Sequence, residues 1–120
     1  MLARYCAAFE RYDVEALVSL LHDDATFSMP PFAWWLRGWG HIRAAMLAAG
    51  QPCQGARLIP TAADGSPALA QYRPTRPGSS YEGFALIVLD VAASRISDIT
   101  NYLEAQRLFP LFDLPLRLAR

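Results

Sequence analysis

The sequence predicts an α+β domain: a curved antiparallel sheet wrapped on three helices, cone-like in outline. Three observations carry that expectation. Apolar residues recur at helical spacing from residue 2 to residue 49, interrupted by one strand-like stretch. From residue 56 the period changes to two. The connections between the later apolar runs are short, so neighbouring strands run antiparallel and the second half is a meander. Helices first, one strand, a third helix and then four strands describe helices gathered on one side of a sheet.

Residues 2–11 read as a helix, with Leu2, Tyr5, Cys6 and Phe9 at i, i+3, i+4 and i+7. No Ser, Thr, Asp or Asn caps its start, as expected either of a frayed terminus or of a segment continuous with something upstream. Asp13 is placed to cap a second helix over 14–22, whose apolar stripe is Val14, Leu17, Val18 and Leu21. Glu15 suits the first turn, where the helix dipole favours negative charge. His22-Asp23-Asp24 ends that helix and leads into a strand from Ala25 to Met29, with Phe27 and Met29 on one face and Thr26 and Ser28 on the other. Pro30-Pro31 stops the strand, because proline cannot donate to the ladder.

The aromatic segment Phe32-Ala33-Trp34-Trp35-Leu36-Arg37 connects to a third helix over 39–49, with Ile42, Ala45, Met46 and Ala49 inward and Gly50 at its end. Strands follow at 56–62, 67–74, 82–92 and 95–103, turning at Asp64-Gly65-Ser66, at residues 74–80 and at Ala92-Ala93-Ser94. Phe84 to Val91 is nearly all apolar, which marks a central strand covered on both faces. Beyond Leu103 lies an apolar, proline-punctuated tail, Leu108-Phe109-Pro110-Leu111-Phe112-Asp113-Leu114-Pro115.

Composition narrows the function classes. The 120 residues are 53% hydrophobic and 18% charged, and 11 basic residues, all arginine, balance 11 acidic ones. That is one domain's worth of sequence with apolar content for a core, unlike a disordered chain. A zero net charge removes the electrostatic case for direct nucleic-acid binding, and Arg73 and Arg76 beside the proline-rich loop read as solvated. No run of about 18 apolar residues exists to form a transmembrane helix, and no basic-then-apolar leader opens the chain. Cys6 and Cys53 fit no metal spacing and read as two reduced thiols in a cytoplasmic protein.

The order of elements, with Phe9-Glu10-Arg11-Tyr12-Asp13-Val14-Glu15-Ala16-Leu17 at the corner of the first two helices and Gly38-x-x-x-Ile42 opening the third, resembles the nuclear-transport-factor-2-like (SnoaL-like, cystatin-like) cone. More specific are Met29-Pro30-Pro31-Phe32-Ala33-Trp34-Trp35-Leu36-Arg37-Gly38 and the Leu108–Pro115 tail. Together they resemble the SnoaL-like domain appended to certain actinobacterial extracytoplasmic-function sigma factors, over essentially the whole chain. The resemblance implies a single domain, residues 1–120, cut from a longer sigma factor. It also implies a regulatory role through contact with the sigma core, and through it RNA polymerase, with a small ligand in the cone. Its rival is a stand-alone cyclase-like or isomerase-like enzyme, because the superfamily hosts both on one scaffold.

Enzymes of that superfamily place carboxylates or a His–Asp pair inside the cone, where burial tunes them for proton transfer near neutral pH. Asp90 and Asp98 flank the last turn and read as solvated strand-end charges, which leaves Asp98 or Glu104 as the base an enzyme would use. The inward polar position late in the last strand falls on Asn101, which orients a ligand by hydrogen bonds and takes no proton. His22 with Asp23 and Asp24 is a weak metal candidate, because consecutive residues point in different directions. No metal or cofactor is therefore expected.

Trp34, Trp35 and Trp39 with Phe32 exceed what so small a core needs, so part of the group is expected to line a pocket or a contact surface. The expected ligand site is apolar with a few polar groups: Met29, Trp34, Trp35, His41 at the mouth, Tyr72, Phe84 and Asn101, with Gln71 and Phe27 nearby. Leu108, Phe109 and Phe112, with Leu111 and Leu114, are too apolar to stay free in water. They are expected to pack on this domain, on a second copy, or on the sigma core.

Overall fold

The Asp13 side chain accepts a hydrogen bond from the Ala16 backbone N–H at 3.1 Å and starts the second helix where the sequence expects it. The computed structural model describes residues 2–30, 33, 35–47, 56–63, 65–74 and 80–118, without the Ala63 side chain. Helix α1 spans Leu2–Glu10 and buries Tyr5, Ala8 and Phe9. Helix α2 is short, Val14–Val18, and stops well before residue 22. Ser19 Oγ turns back to donate to the Ala16 carbonyl at 2.6 Å, and the Leu20 carbonyl accepts from Ile96 N–H at 2.8 Å. Leu21 thus leaves the helix and pairs with Ile96, although it satisfies the helical spacing equally well.

Strand β1 accordingly runs Leu21–Ser28 instead of starting at Ala25. Its charged opening, His22-Asp23-Asp24, is tolerated because Asp23 and Asp24 are exposed and only Leu21 and Ala25 are buried. The aromatic connector contains a strand that the sequence reading missed: β2, Trp35–Arg37, pairs antiparallel with β1 at Ser28, Phe27 and Thr26. Gly38 then adopts φ +93° and donates its N–H to the Ala25 carbonyl at 2.8 Å, a backbone state that favours glycine. Helix α3, Trp39–Met46, follows and buries Ile42; Ala49 and Gly50 lie outside the described residues.

The four later strands are β3 (Arg57–Ala63), β4 (Ser66–Pro74), β5 (Tyr81–Ala92) and β6 (Arg95–Tyr102), an antiparallel meander as expected. The sheet as a whole is mixed, because β1 joins the meander parallel to β6 and gives the order β2-β1-β6-β5-β4-β3. The tail is more regular than its prolines suggest. It forms α4 (Ala105–Leu108), a 3₁₀ turn (Phe109–Phe112) and a two-residue strand β7 (Arg117–Leu118) that pairs with β5 at Glu82 and Tyr81.

Two apolar layers sandwich the sheet. The inner one joins Tyr5, Phe9, Leu17 and Ile42 of the helices to Leu58, Leu69, Ile87, Leu89, Ile96 and Ile99 of the strands. The outer one joins Ala68, Ala70, Tyr72 and Leu86 to Ala105 and Phe109 of the tail. Strand β5 is therefore covered on both faces, as its continuous apolar run requires.

Candidate functional site

Alternation along β4 sorts its side chains by face. Leu69 belongs to the inner layer and Ala70 and Tyr72 to the outer one, so Gln71 points towards the helices. On β6, Ile99 is inner and Asn101 shares its face. Gln71 and Asn101 are the buried polar residues, tyrosines apart, among the described residues, at 2% and 5% exposure. Asn101 Nδ2 donates to the Ser28 carbonyl at 3.0 Å, which sets it beside the end of β1 and Met29, itself half-buried. Among the described residues, Gln71 Nε2 has no hydrogen-bond partner.

The residues expected to line one pocket divide between places. Asn101 lies at the end of β1 through its bond to the Ser28 carbonyl. Tyr72 cannot join Asn101 there, because it stands on the opposite face of the sheet; Gln71 and Tyr72 are sequence neighbours on one strand and necessarily face apart. Trp35 is 59% exposed with the Arg37 guanidinium 5.8 Å from its ring centroid, at the β2 edge. His41 is exposed on α3, its Nδ1 2.9 Å from the Arg37 carbonyl. Phe84 lies at the irregularity in the β4–β5 register, under the Arg73 guanidinium at 4.4 Å. It borders two shallow grooves, one with Arg73, Pro74, Glu82 and Gly83 and one with Leu103, Glu104, Ala105, Gln106 and Arg107. Trp34 and Phe32 lie outside the described residues, as do Cys53 and Arg76.

The carboxylates an enzyme would use do not face the Asn101 side. Asp98 pairs in register with Thr26 of β1 and lies on the face opposite Ile99 and Asn101. It is half-buried mid-strand instead of a solvated strand end, and it accepts hydrogen bonds from Thr26 Oγ1 and, at 2.6 Å, from Thr100 Oγ1. Glu104 is exposed and bonded to Arg107 at 2.8 Å, which holds its carboxyl below the usual range. Asp90 is exposed, as expected. Among the described residues no group of three His, Cys, Asp or Glu side chains gathers as metal ligands. Burial, then the nearby Glu10 charge, pushes the half-buried Cys6 thiol up, away from the reactive thiolate.

The tail forms a second feature, a latch on the outer face. Phe109 is fully buried and meets Tyr72 edge-on with ring centroids 5.3 Å apart. Tyr72 Oη donates to the Pro115 carbonyl at 2.7 Å, and Gly83 N–H donates to the Leu116 carbonyl at 2.8 Å. A Cβ on Gly83 would sit 2.7 Å from Phe109 Cε2, so the glycine is what lets the ring lie on β5. Phe109 is thereby spent on this domain's own core and cannot serve as a partner contact. Leu108 and Phe112 are half-buried against the same layer, while Leu111 is 73% exposed and Leu116 41%. A glycine inside an otherwise apolar strand was the one available sign of that close approach.

The SnoaL-like domain family matches residues 2–99. Over 120 aligned residues, 96% of the chain, it is 41% identical to the ECF RNA polymerase sigma factor SigG of Mycobacterium tuberculosis, in strains CDC 1551 and H37Rv. The aligned stretch is 31% of that relative, so the chain spans about a third of its length. Among solved structures, an NTF-2 like protein of unknown function from Burkholderia xenovorans LB400 superposes with a TM-score of 0.67 at 15% identity, covering 85% of this chain and 78% of that one. An uncharacterized cystatin fold protein from Novosphingobium aromaticivorans gives a TM-score of 0.63 at 20% identity, over 82% of this chain and 92% of that one. Likeness at such identities speaks for the fold alone.

Proposed function

The chain belongs to the SnoaL-like domain family, and from that premise we propose that it is a non-catalytic regulatory domain of an extracytoplasmic-function sigma factor. In this reading it forms one part of a longer polypeptide, acts in the cytoplasm, docks on the sigma core and thereby modulates transcription initiation by RNA polymerase. The observation that carries the reading is the 41% identity to SigG across 96% of the chain. Two structural features support it. Tyrosines apart, the buried polar side chains described beside the inner layer are amides, which orient a ligand but transfer no proton. The described carboxylates nearest to a catalytic role, Asp98 and Glu104, bond to threonines and an arginine, not to a tyrosine or histidine.

The docking surface in this account is the outer side of the latched tail, where Leu111 and Leu116 project while Phe109 anchors the segment beneath them. A buried anchor under exposed apolar residues makes a rigid apolar platform, which lowers the ordering cost of association. Run-off transcription tests it, using RNA polymerase and SigG-type sigma core regions with and without this chain joined behind them. Joining the chain is expected to change transcript yield several-fold, and Leu111→Ser is expected to reverse much of that change while the domain still melts normally. Equal yields with and without the chain would overturn the regulatory reading.

A further inference from the structure

The corner of the first two helices carries a groove of about 300 Å³ with an apolar floor of Ala7, Ala8, Ala16 and the buried Leu20. Arg4 and Arg11 stand at its rim. The Arg11 N–H still bonds to the Ala7 carbonyl at 3.1 Å, so the helical path of α1 reaches it. Seven residues apart on that path, the two arginines share a face and lie about 10 Å apart along the axis. Among the described residues Arg4 has no ion-pair partner, and Arg11 reaches only Asp13, at 3.4 Å between exposed side chains. The other carboxylates of this corner are engaged elsewhere: Glu10 accepts from Leu58 N–H of β3, and Glu15 bonds to Arg43 of α3 at 2.6 Å. A third guanidinium, Arg95, lies against the Ser19 end of the groove, its Nη1 3.4 Å from the Ser19 carbonyl and 3.3 Å from that of Leu21. A chain of zero net charge thus concentrates uncompensated positive charge around one apolar floor.

We propose that this groove docks an acidic amphipathic helix of a protein partner, with small apolar residues on the floor and carboxylates two turns apart against Arg4 and Arg11. Alanines on the floor let a helix backbone approach to the ~8 Å at which helices with small contact residues pack. The nine residues of α1 offer room for about two to three turns of the partner. Complementary charge at the rim fixes its register. A single small anion would use the guanidiniums and none of the floor. Duplex DNA is disfavoured because the chain has no basic surplus and an apolar floor offers nothing to phosphates. The surface lies on the helical side of the sheet, opposite the latched tail, and goes beyond the regulatory reading without resting on it.

The probe is a synthetic end-blocked peptide made of two copies of Glu-Ala-Ala-Leu-Gln-Ala-Ala, which sets its glutamates two turns apart on one helical face. One counterpart carries Lys for Glu, and another has the same composition with its glutamates on opposite faces. Each is titrated into the 120-residue chain while the arginine side-chain Nε–Hε resonances are followed. The acidic peptide is expected to shift Arg4 and Arg11 and to bind about tenfold more tightly than either counterpart, as two exposed ion pairs allow. Reversing both charges, in Arg4→Glu with Arg11→Glu, is expected to invert the order so that the Lys peptide binds better. Arg107→Glu with Arg117→Glu makes the same change of net charge on the tail and is expected to keep the parent's order. Equal affinities for the three peptides, or inversion by the tail variant, would overturn the inference. So would duplex DNA of about twenty base pairs that shifts Arg4 and Arg11 at a lower concentration than the peptide, which would assign the groove to nucleic acid. The peptide comparison uses the parent alone, so it decides even if a variant does not fold.

Discussion

Replacing Gly83 by alanine tests whether the tail is latched as described. The added Cβ would lie 2.7 Å and 3.0 Å from Phe109 Cε2 and Cδ2, and 3.3 Å from the Leu116 carbonyl oxygen. The ring cannot swing away, because Phe109 is 0% exposed and wedged edge-on against Tyr72. Two terms oppose each other. Removing glycine's freedom in the unfolded chain stabilises by ~0.4–1 kcal/mol, while overpacking a filled core costs ~1–3 kcal/mol. The clash prevails, and Gly83→Ala is expected to destabilise by roughly 1–2 kcal/mol. For a domain of this size that lowers the melting temperature by roughly 4–10 °C. Thermal and urea unfolding followed by circular dichroism read the change. Pairing it with Phe109→Leu, which shortens the offending ring, is expected to recover about 1 kcal/mol relative to additivity. A Gly83→Ala variant as stable as the parent, or strict additivity in the double variant, would refute the latch.

Other consequences are equally direct. Ala93 and Ser94 both have positive φ, 51° and 65°, in the two-residue turn joining β5 to β6. Ala93→Asn with Ser94→Gly is therefore expected to stabilise by about 1 kcal/mol in urea titration, since that turn favours Asn-Gly. Burial raises the Tyr72 phenol above its ordinary 10.0, and the neutral phenol donates to Pro115. Its folded value lies above its unfolded one, so its contribution is complete below pH ~10 and is lost as pH climbs through the folded value. Tyr72→Phe is expected to cost about 1 kcal/mol at neutral pH and to flatten that alkaline decline in urea midpoints. Parallel pH profiles for parent and variant would contradict it.

Much of the fold is legible because its strongest signals are periodic. The β5 run, the antiparallel order of the meander and the Asp13 cap rest on short-range patterns, and each lands where the sequence puts it. The boundary at Leu21 fails for a stated reason: helix and strand both bury that leucine, and only the pairing with Ile96, 75 positions on, decides between them. Strand β2 hides inside an aromatic run whose three residues are too few to show a period. The tail's prolines forbid long elements but not a four-residue helix, a 3₁₀ turn and a two-residue strand. The candidate site is half legible. Asn101 is buried and bonded to Ser28 at the end of β1, whereas Tyr72, expected on the same pocket, stands on the other face with Phe109 because side chains alternate along β4. Which residue of the tail anchors and which projects depends on Gly83 and on contacts across the sheet, which no local pattern encodes.

The central claim is that the outer side of the latched tail docks on the sigma core. Hydrogen exchange of the 120-residue chain, with and without purified SigG-type sigma core regions, tests it most directly. Residues 105–118 and the Gly83 amide, already bonded to Leu116, are expected to exchange at least about tenfold more slowly in the complex, with Leu111→Ser abolishing the added protection. Exchange that is unchanged throughout the tail when the sigma core is present in excess would contradict the account.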